Sequence, residues 1–186
     1  MQITVERLTP NRTDDFYAYH CDANDAGWCH CVAWWTPTWD DWPDRSAADN
    51  RALRDQLFTQ GHYDGYLTYD DTDTPIGWAQ VGPRDRLAKL LSQYKLDPEP
   101  EAWAITCFNI APAHRRSGVA RALLKHVIAD LAGQGITRLQ AFPRRGTEPD
   151  NDGALWTGPE SLYLDAGFGT LRDDPTRLIL QLDPTI

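Results

Sequence analysis

The chain has 186 residues, 41% of them hydrophobic, enough to bury one sizeable core. Its 18 lysines and arginines stand against 27 aspartates and glutamates, a net charge of −9, which argues against nucleic acid or an anionic membrane as partner and mildly favours a cationic one. The opening residues lack an apolar stretch of signal-peptide length, no segment is long enough to span a bilayer, and four cysteines read as reduced thiols, so the expected location is the cytoplasm.

"MQITVERL" alternates apolar and polar residues as a half-buried strand does, and Asn11 or Thr13 would cap a helix through about His20. Asp22 to Asp49, dense in tryptophan, proline and acid, predicts a folded loop with short helical turns. "SAADNRALRDQLFTQG" predicts a helix capped by Ser46 and stopped near Gly61. "YDGYLTYD" and "PIGWAQVG" predict a hairpin, and "RDRLAKLLSQY" a short helix. "AWAITCFNI" is almost continuously apolar, the pattern of a strand buried on both faces. Val119, Leu123, Leu124, Val127, Ile128 and Leu131 then recur at helical spacing, "GQG" ends that helix, and "ITRLQAFP" is a strand again. A Gly-, Pro- and Asp-rich loop from Arg144 to Gly158 precedes a short helix, "PESLYLDA", and a last hairpin, "FGTLR" with "TRLILQL". The strand, helix and strand from Trp103 to Phe142 form a βαβ-like unit with parallel strands, while the hairpins are antiparallel, so the sheet should be mixed. With no internal repeat and no linker, residues 1–186 read as one domain.

"NIAPAHRRSGVARALL", Asn109 to Leu124, carries the chemistry. A helix N-terminus presents unpaired N–H groups and partial positive charge, together an anion site. Gly118 lets backbone approach a ligand, Ala120 keeps the first turn open, and Arg115 and Arg116 add charge-assisted bonds to phosphate oxygens. Arg115 to Arg121 is therefore a candidate cradle for a diphosphate.

In these residues the chain resembles the GNAT superfamily of acyl-CoA-dependent N-acyltransferases. The family signature Gln/Arg-x-x-Gly-x-Gly/Ala is matched by Arg115, Gly118 and Ala120, after the turn Ile110 to Pro112. A tyrosine four residues before Gly-Phe is matched by Tyr163, Gly167 and Phe168. The resemblance is strong from Ala102 to Phe168 and topological before that. It implies an α/β (α+β) fold: a mixed, mostly antiparallel central sheet, helices on both faces and a splayed parallel strand pair. It further implies acetyl-CoA as cosubstrate and no metal. The diphosphate would lie on the amides of Arg116, Ser117, Gly118, Val119 and Ala120, flanked by Arg115 and Arg121. The pantetheine would pair with the strand edge at Asn109, Ile110 and Ala111. Transfer to a primary amine would be direct, through a ternary complex, with Tyr163 protonating the CoA sulfur and an N–H near Ile110 polarising the carbonyl.

The general base is not visible. The central strand offers Trp103, Ala104, Thr106 and Asn109 where relatives often carry a glutamate; Glu101 lies at its start, and either a water chain does the work or an acid from the N-terminal half, Asp40, Asp41 or Asp44, reaches in. Arg144 to Gly158 looks inserted, with Trp156 near a position where many relatives have asparagine. His20, Cys21, Cys29, His30 and Cys31 are soft ligands: zinc is one reading, buried reduced thiols the favoured one. Five of the eight tryptophans lie in the same segment, and Trp34, Trp35 and Trp39, with Asp40, Asp41 and Asp44, would suit a small-molecule or peptide amine that is cationic. A non-catalytic acyl-CoA- or partner-binding module stands as the alternative, and monomer and homodimer are both open.

Overall fold

The computed structural model describes residues 2–24, 27–143, 156–174 and 177–184. Most of the loop expected at 144–158 therefore lies outside the described residues. Strand β1 (Thr4–Arg7) leads through a 3₁₀ turn to helix α1 (Thr13–Tyr19). Neither Asn11 nor Thr13 caps α1. Pro10 starts the 3₁₀ turn, whose last residue, Arg12, takes the cap position without a side-chain bond. Short 3₁₀ turns lie at Asp22–Asn24, Ala33–Trp35 and Trp42–Asp44, and helix α2 (Ala47–Thr59) starts at Ser46 with a reciprocal Ser46–Asp49 capping box. Strands β2 (Tyr66–Tyr69) and β3 (Pro75–Pro83) form the expected hairpin, and helix α3 (Ala88–Tyr94) follows.

Strand β4 (Ala102–Ile110), helix α4 (Val119–Gly133) and strand β5 (Arg138–Ala141) form the crossover unit, and helix α5 (Glu160–Asp165) precedes the hairpin β6 (Gly169–Asp174) and β7 (Arg177–Leu182). The seven strands run in the order β1-β2-β3-β4-β5-β7-β6, and β4–β5 is the one parallel pair among them. α4 and α5 bury Val119, Leu123, Leu124, Val127, Leu131 and Leu162 against one sheet face. Burying the five aliphatic residues of α4 alone contributes roughly 10 kcal/mol relative to exposure. The opposite face is covered by two clusters, one with Phe16, Tyr19 and Trp78, the other with Trp34, Leu90 and Phe142.

Two irregularities of β4 open the sheet. Its register against β3 shifts between Gln80 and Val81, which face Cys107 and Ile105 and leave Thr106 as an extra residue. Its parallel pairing with β5 ends at Ile105, and among the described residues a single bridge, Phe108 to Thr157, continues it. Beyond that bridge no described strand pairs with this edge of β4 at Asn109 and Ile110.

Candidate active site

The Asn109–Ile110 edge of β4 and the start of α4 border a cleft of about 400 Å³. Of the expected cofactor residues, Asn109, Ile110, Arg115, Arg116, Gly118, Ala120 and Arg121 line it. Three do not. The Ala111 N–H turns to Ile76 O on β3, the Ser117 hydroxyl donates to His114 O, and Val119 is buried in the core beneath α4. Because the Phe108 N–H points to Trp156 O (2.7 Å) and the Ala111 N–H to β3, strand alternation turns the Ile110 N–H toward the cleft. Arg115 Nε donates to Ile110 O at 2.9 Å, fastening the cradle to the strand end.

Gly118 caps α4 with φ 88°, a left-handed conformation that favours glycine, and a Cβ there would meet nothing within 4 Å. The conformation, not crowding, requires the glycine, and the space before it is free for a ligand. The first-turn N–H groups of α4 lack intrahelical acceptors. His114, Arg115, Arg116 and Arg121 face the same space, with Asp165 the one acid among the described lining residues. The cleft is cationic on a chain of net charge −9, as a diphosphate site should be.

A second cavity of about 230 Å³ adjoins the first. His20, Cys29, Cys31 and Cys107 line it, with Trp28, Trp39 and Trp42, and it shares Asn109 and Trp156 with the cleft. Tyr19 OH donates to Asn109 Oδ1 at 2.6 Å, which leaves the Asn109 amide N–H groups as donors at the shared wall. Of the three tryptophans expected to bind the acceptor, Trp39 alone lines the cavity. Trp34 lies behind it, its Nε1 donating to Thr106 O and its ring 5.8 Å from Trp156. Trp35 turns away toward His62, because a 3₁₀ turn rotates successive side chains by about 120°. Trp28 and Trp42, from the same tryptophan-rich segment, line it as well, and Trp156 joins them from far along the chain, where no local pattern links it to them.

The acids do not form the expected cationic site. Asp40, Asp41 and Asp44 are absent from the lining, and Lys89 Nζ lies 3.6 Å from the centroid of Trp39 and 5.6 Å from that of Trp42. The cation on these aromatic faces is the protein's own. Lys89 donates to Thr36 Oγ1 and Thr38 O, and burial, then Arg45, pushes it down to about 8. Glu101 pairs with Arg138 at the far end of β4, roughly 25 Å of strand from Asn109.

Tyr163 lines neither cavity. It is fully buried between Phe108 and Phe168, and its hydroxyl donates to Thr157 O at 2.7 Å. The turn at Gly158 (φ 80°) packs directly against that hydroxyl. Burial pushes the phenol far up, so in this arrangement the group expected as general acid is a buried strut under Trp156–Gly158.

The thiol segment is held in an unusual conformation. His30 (φ 42°) and Cys31 (φ 50°) are consecutive left-handed residues with side chains. Fully buried Arg54 fixes both, Nε donating to His30 O (3.0 Å) and Nη2 to Cys31 O. Burial opposes a Cys31 thiolate, but hydrogen bonds with Cys107 and His20 and the Arg54 charge outweigh it and hold the thiol well below its ordinary value. The bond to Cys31, with burial, pushes Cys107 well up, so Cys107 holds the proton. Burial, then Cys31, pushes Cys29 up to about 11. Among the described residues no three His, Cys, Asp or Glu side chains converge as a metal site. None of the described helices is long and apolar enough to cross a membrane.

A sequence model of the Acetyltransferase (GNAT) family matches residues 14–168. The chain belongs to that family. No curated protein sequence matches it significantly. Among solved structures it is similar to the PaiA N-acetyltransferase of Thermoplasma acidophilum in complex with coenzyme A, at 13% identity over 98% of this chain and 99% of that one, TM-score 0.56. It is also similar to the ribosomal-protein-S18-alanine N-acetyltransferase of Escherichia coli (15% identity, 100% and 96% covered, TM-score 0.55). The N-acetylglutamate synthase of Neisseria gonorrhoeae, complexed with coenzyme A and N-acetyl-glutamate, is matched at 16% identity over 100% of this chain and 36% of that one, TM-score 0.54. At such identities these likenesses establish a shared fold.

Proposed function

We propose that this GNAT chain transfers an acetyl group from acetyl-CoA to a primary amine. The diphosphate rests on the first turn of α4 between Arg115, Arg116 and Arg121, and the pantetheine follows the β4 edge toward Asn109 and Ile110. The amine enters the tryptophan-lined cavity. One observation carries the reading: the cationic cleft and the aromatic cavity meet at Asn109 and Trp156, where donors face both sides. Coenzyme A in the PaiA and N-acetylglutamate synthase structures supports the choice of donor.

A volume of about 230 Å³ lined by tryptophans and thiols suits an amine on a compact apolar or aromatic body. With Lys89 already over Trp39 and Trp42, a second cation there would be repelled. A panel of amines scored by CoA thiol release tests the reading. Compact aromatic and aliphatic monoamines should react ahead of polyamines and basic peptides. CoA binding without release for any amine would instead favour the non-catalytic binding module.

A further inference from the structure

The second cavity contains more chemistry than an acceptor pocket needs. Its wall carries His20, Cys31 and Cys107, and three independent features prepare the Cys31 sulfur as an anion. First, His20 Nδ1 lies 2.9 Å from Phe16 O. A carbonyl only accepts, so Nδ1 bears a proton, and in the neutral ring the lone pair is therefore on Nε2. The ring stacks on Phe16 (3.9 Å between centroids) and lines the same cavity as Cys31. Nucleophile, base and the group orienting the base are thus all present.

Second, the Gln80 side-chain amide sits 2.9 Å from Cys31 Sγ. Turned so that its oxygen accepts from Trp35 Nε1 (2.7 Å), it donates from nitrogen to Cys31 O (3.2 Å) and presents that nitrogen to the sulfur. Cys107, directly opposite Gln80 in the β3–β4 register, presents its S–H from the neighbouring strand. Third, Arg54 supplies a buried positive charge and holds the two left-handed residues whose carbonyls it binds. Backbone strain maintained by a buried arginine indicates a positioned group and not a packing accident.

We propose that Cys31 is a transient carrier of the acyl group, with His20 as the base for the incoming amine, so that transfer proceeds through an acetyl-Cys31 thioester and not in the single step that the family resemblance implies. This inference rests on the assignment of the cleft to acetyl-CoA. Cys31 thiolate attacks the thioester carbonyl carbon, a carbon–sulfur bond forms, and the oxyanion faces the Asn109 amide and the Ile110 N–H. The bond to the CoA sulfur breaks, and CoA leaves as a thiolate that takes a proton from water. A neutral amine then attacks the acetyl-Cys31 carbonyl. His20 Nε2 takes the proton released as the C–N bond forms and returns it to water, and Cys31 leaves as the thiolate. The sum is acetyl-CoA plus amine giving CoA thiol plus amide.

The test needs no knowledge of the acceptor. The purified chain is mixed with acetyl-CoA alone, acid-quenched, and examined by intact mass and peptide mapping, while calorimetry on the same sample records binding. The expected result is a burst of CoA thiol approaching one equivalent per chain. The mass gain of one acetyl group should lie on the Cys31 peptide and be removed by neutral hydroxylamine. Cys21→Ser should keep the adduct, Cys31→Ala should lose it, and His20→Asn should slow its reaction with amine. Binding with no adduct, or an adduct only elsewhere, overturns the carrier role and leaves the acetyl-CoA assignment standing. No binding by a folded sample overturns both.

Discussion

Replacing Arg54 by Met should damage both the fold and the thiol. The guanidinium is fully buried and donates to His30 O and Cys31 O. Charge-assisted bonds of this kind contribute about 1.5–3 kcal/mol each. They also hold two left-handed residues whose strain is about 1–3 kcal/mol apiece and would press the segment to rearrange. Against these losses, Met removes a buried charge, and it fills the space against Phe16 and Phe58 where Arg54 now stacks (5.2 and 5.4 Å). The balance is a loss of about 3 kcal/mol, read by urea unfolding followed by tryptophan fluorescence. Arg54 is also a positive charge that favours the Cys31 thiolate, so iodoacetamide should modify Cys31 more slowly in the variant at neutral pH. A variant within about 0.5 kcal/mol of the parent, the span of an ordinary surface change, with unchanged alkylation would refute this account of the segment.

Lys89 makes stability depend on alkaline pH. Its folded value is about 8 against an ordinary 10.5, so between these the unfolded chain binds the extra proton and stability rises from pH 8 toward 10. Below pH 8 both states hold the proton and the cost is constant. Lys89→Met should flatten this rise in denaturant midpoints measured at pH 7, 8, 9 and 10, and equal slopes would contradict the burial argument. Tyr163→Phe should lower stability by about 1–2 kcal/mol through loss of the bond to Thr157 O and keep its turnover. A fall in kcat of about 100-fold at unchanged stability would restore the general-acid role.

The lining of the cleft at the start of α4 was legible because its parts are contiguous: Arg115, Arg116, Gly118, Ala120 and Arg121 fall on one loop-to-helix junction after an apolar strand. The same locality made Ser46 recognisable as a cap and β4 as a buried strand. The aromatic cavity was legible only as a tryptophan-rich segment. It gathers His20 after α1, Trp28 to Trp42 from a segment of 3₁₀ turns, Cys107 and Asn109 from β4, and Trp156 after β5, and no periodicity links them. Trp34 and Trp35 show the limit at one turn: adjacent and chemically identical, they point to different places because of local backbone. Tyr163 sits at the expected position in α5, but its hydroxyl is captured by Thr157, which only the path of the chain after β5 decides.

The central claim is that the Arg115–Arg121 turn holds the diphosphate of acetyl-CoA. Calorimetric titration of the native chain beside Arg115→Glu/Gly118→Asp, with circular dichroism confirming that both are folded, addresses it most directly. The account predicts micromolar-range binding by the native chain and a loss of about 100-fold or more in the double variant, which places two carboxylates where phosphates belong, an effect of about 3 kcal/mol. Equal affinity in the two proteins, or no heat of binding from a folded native sample, would contradict it.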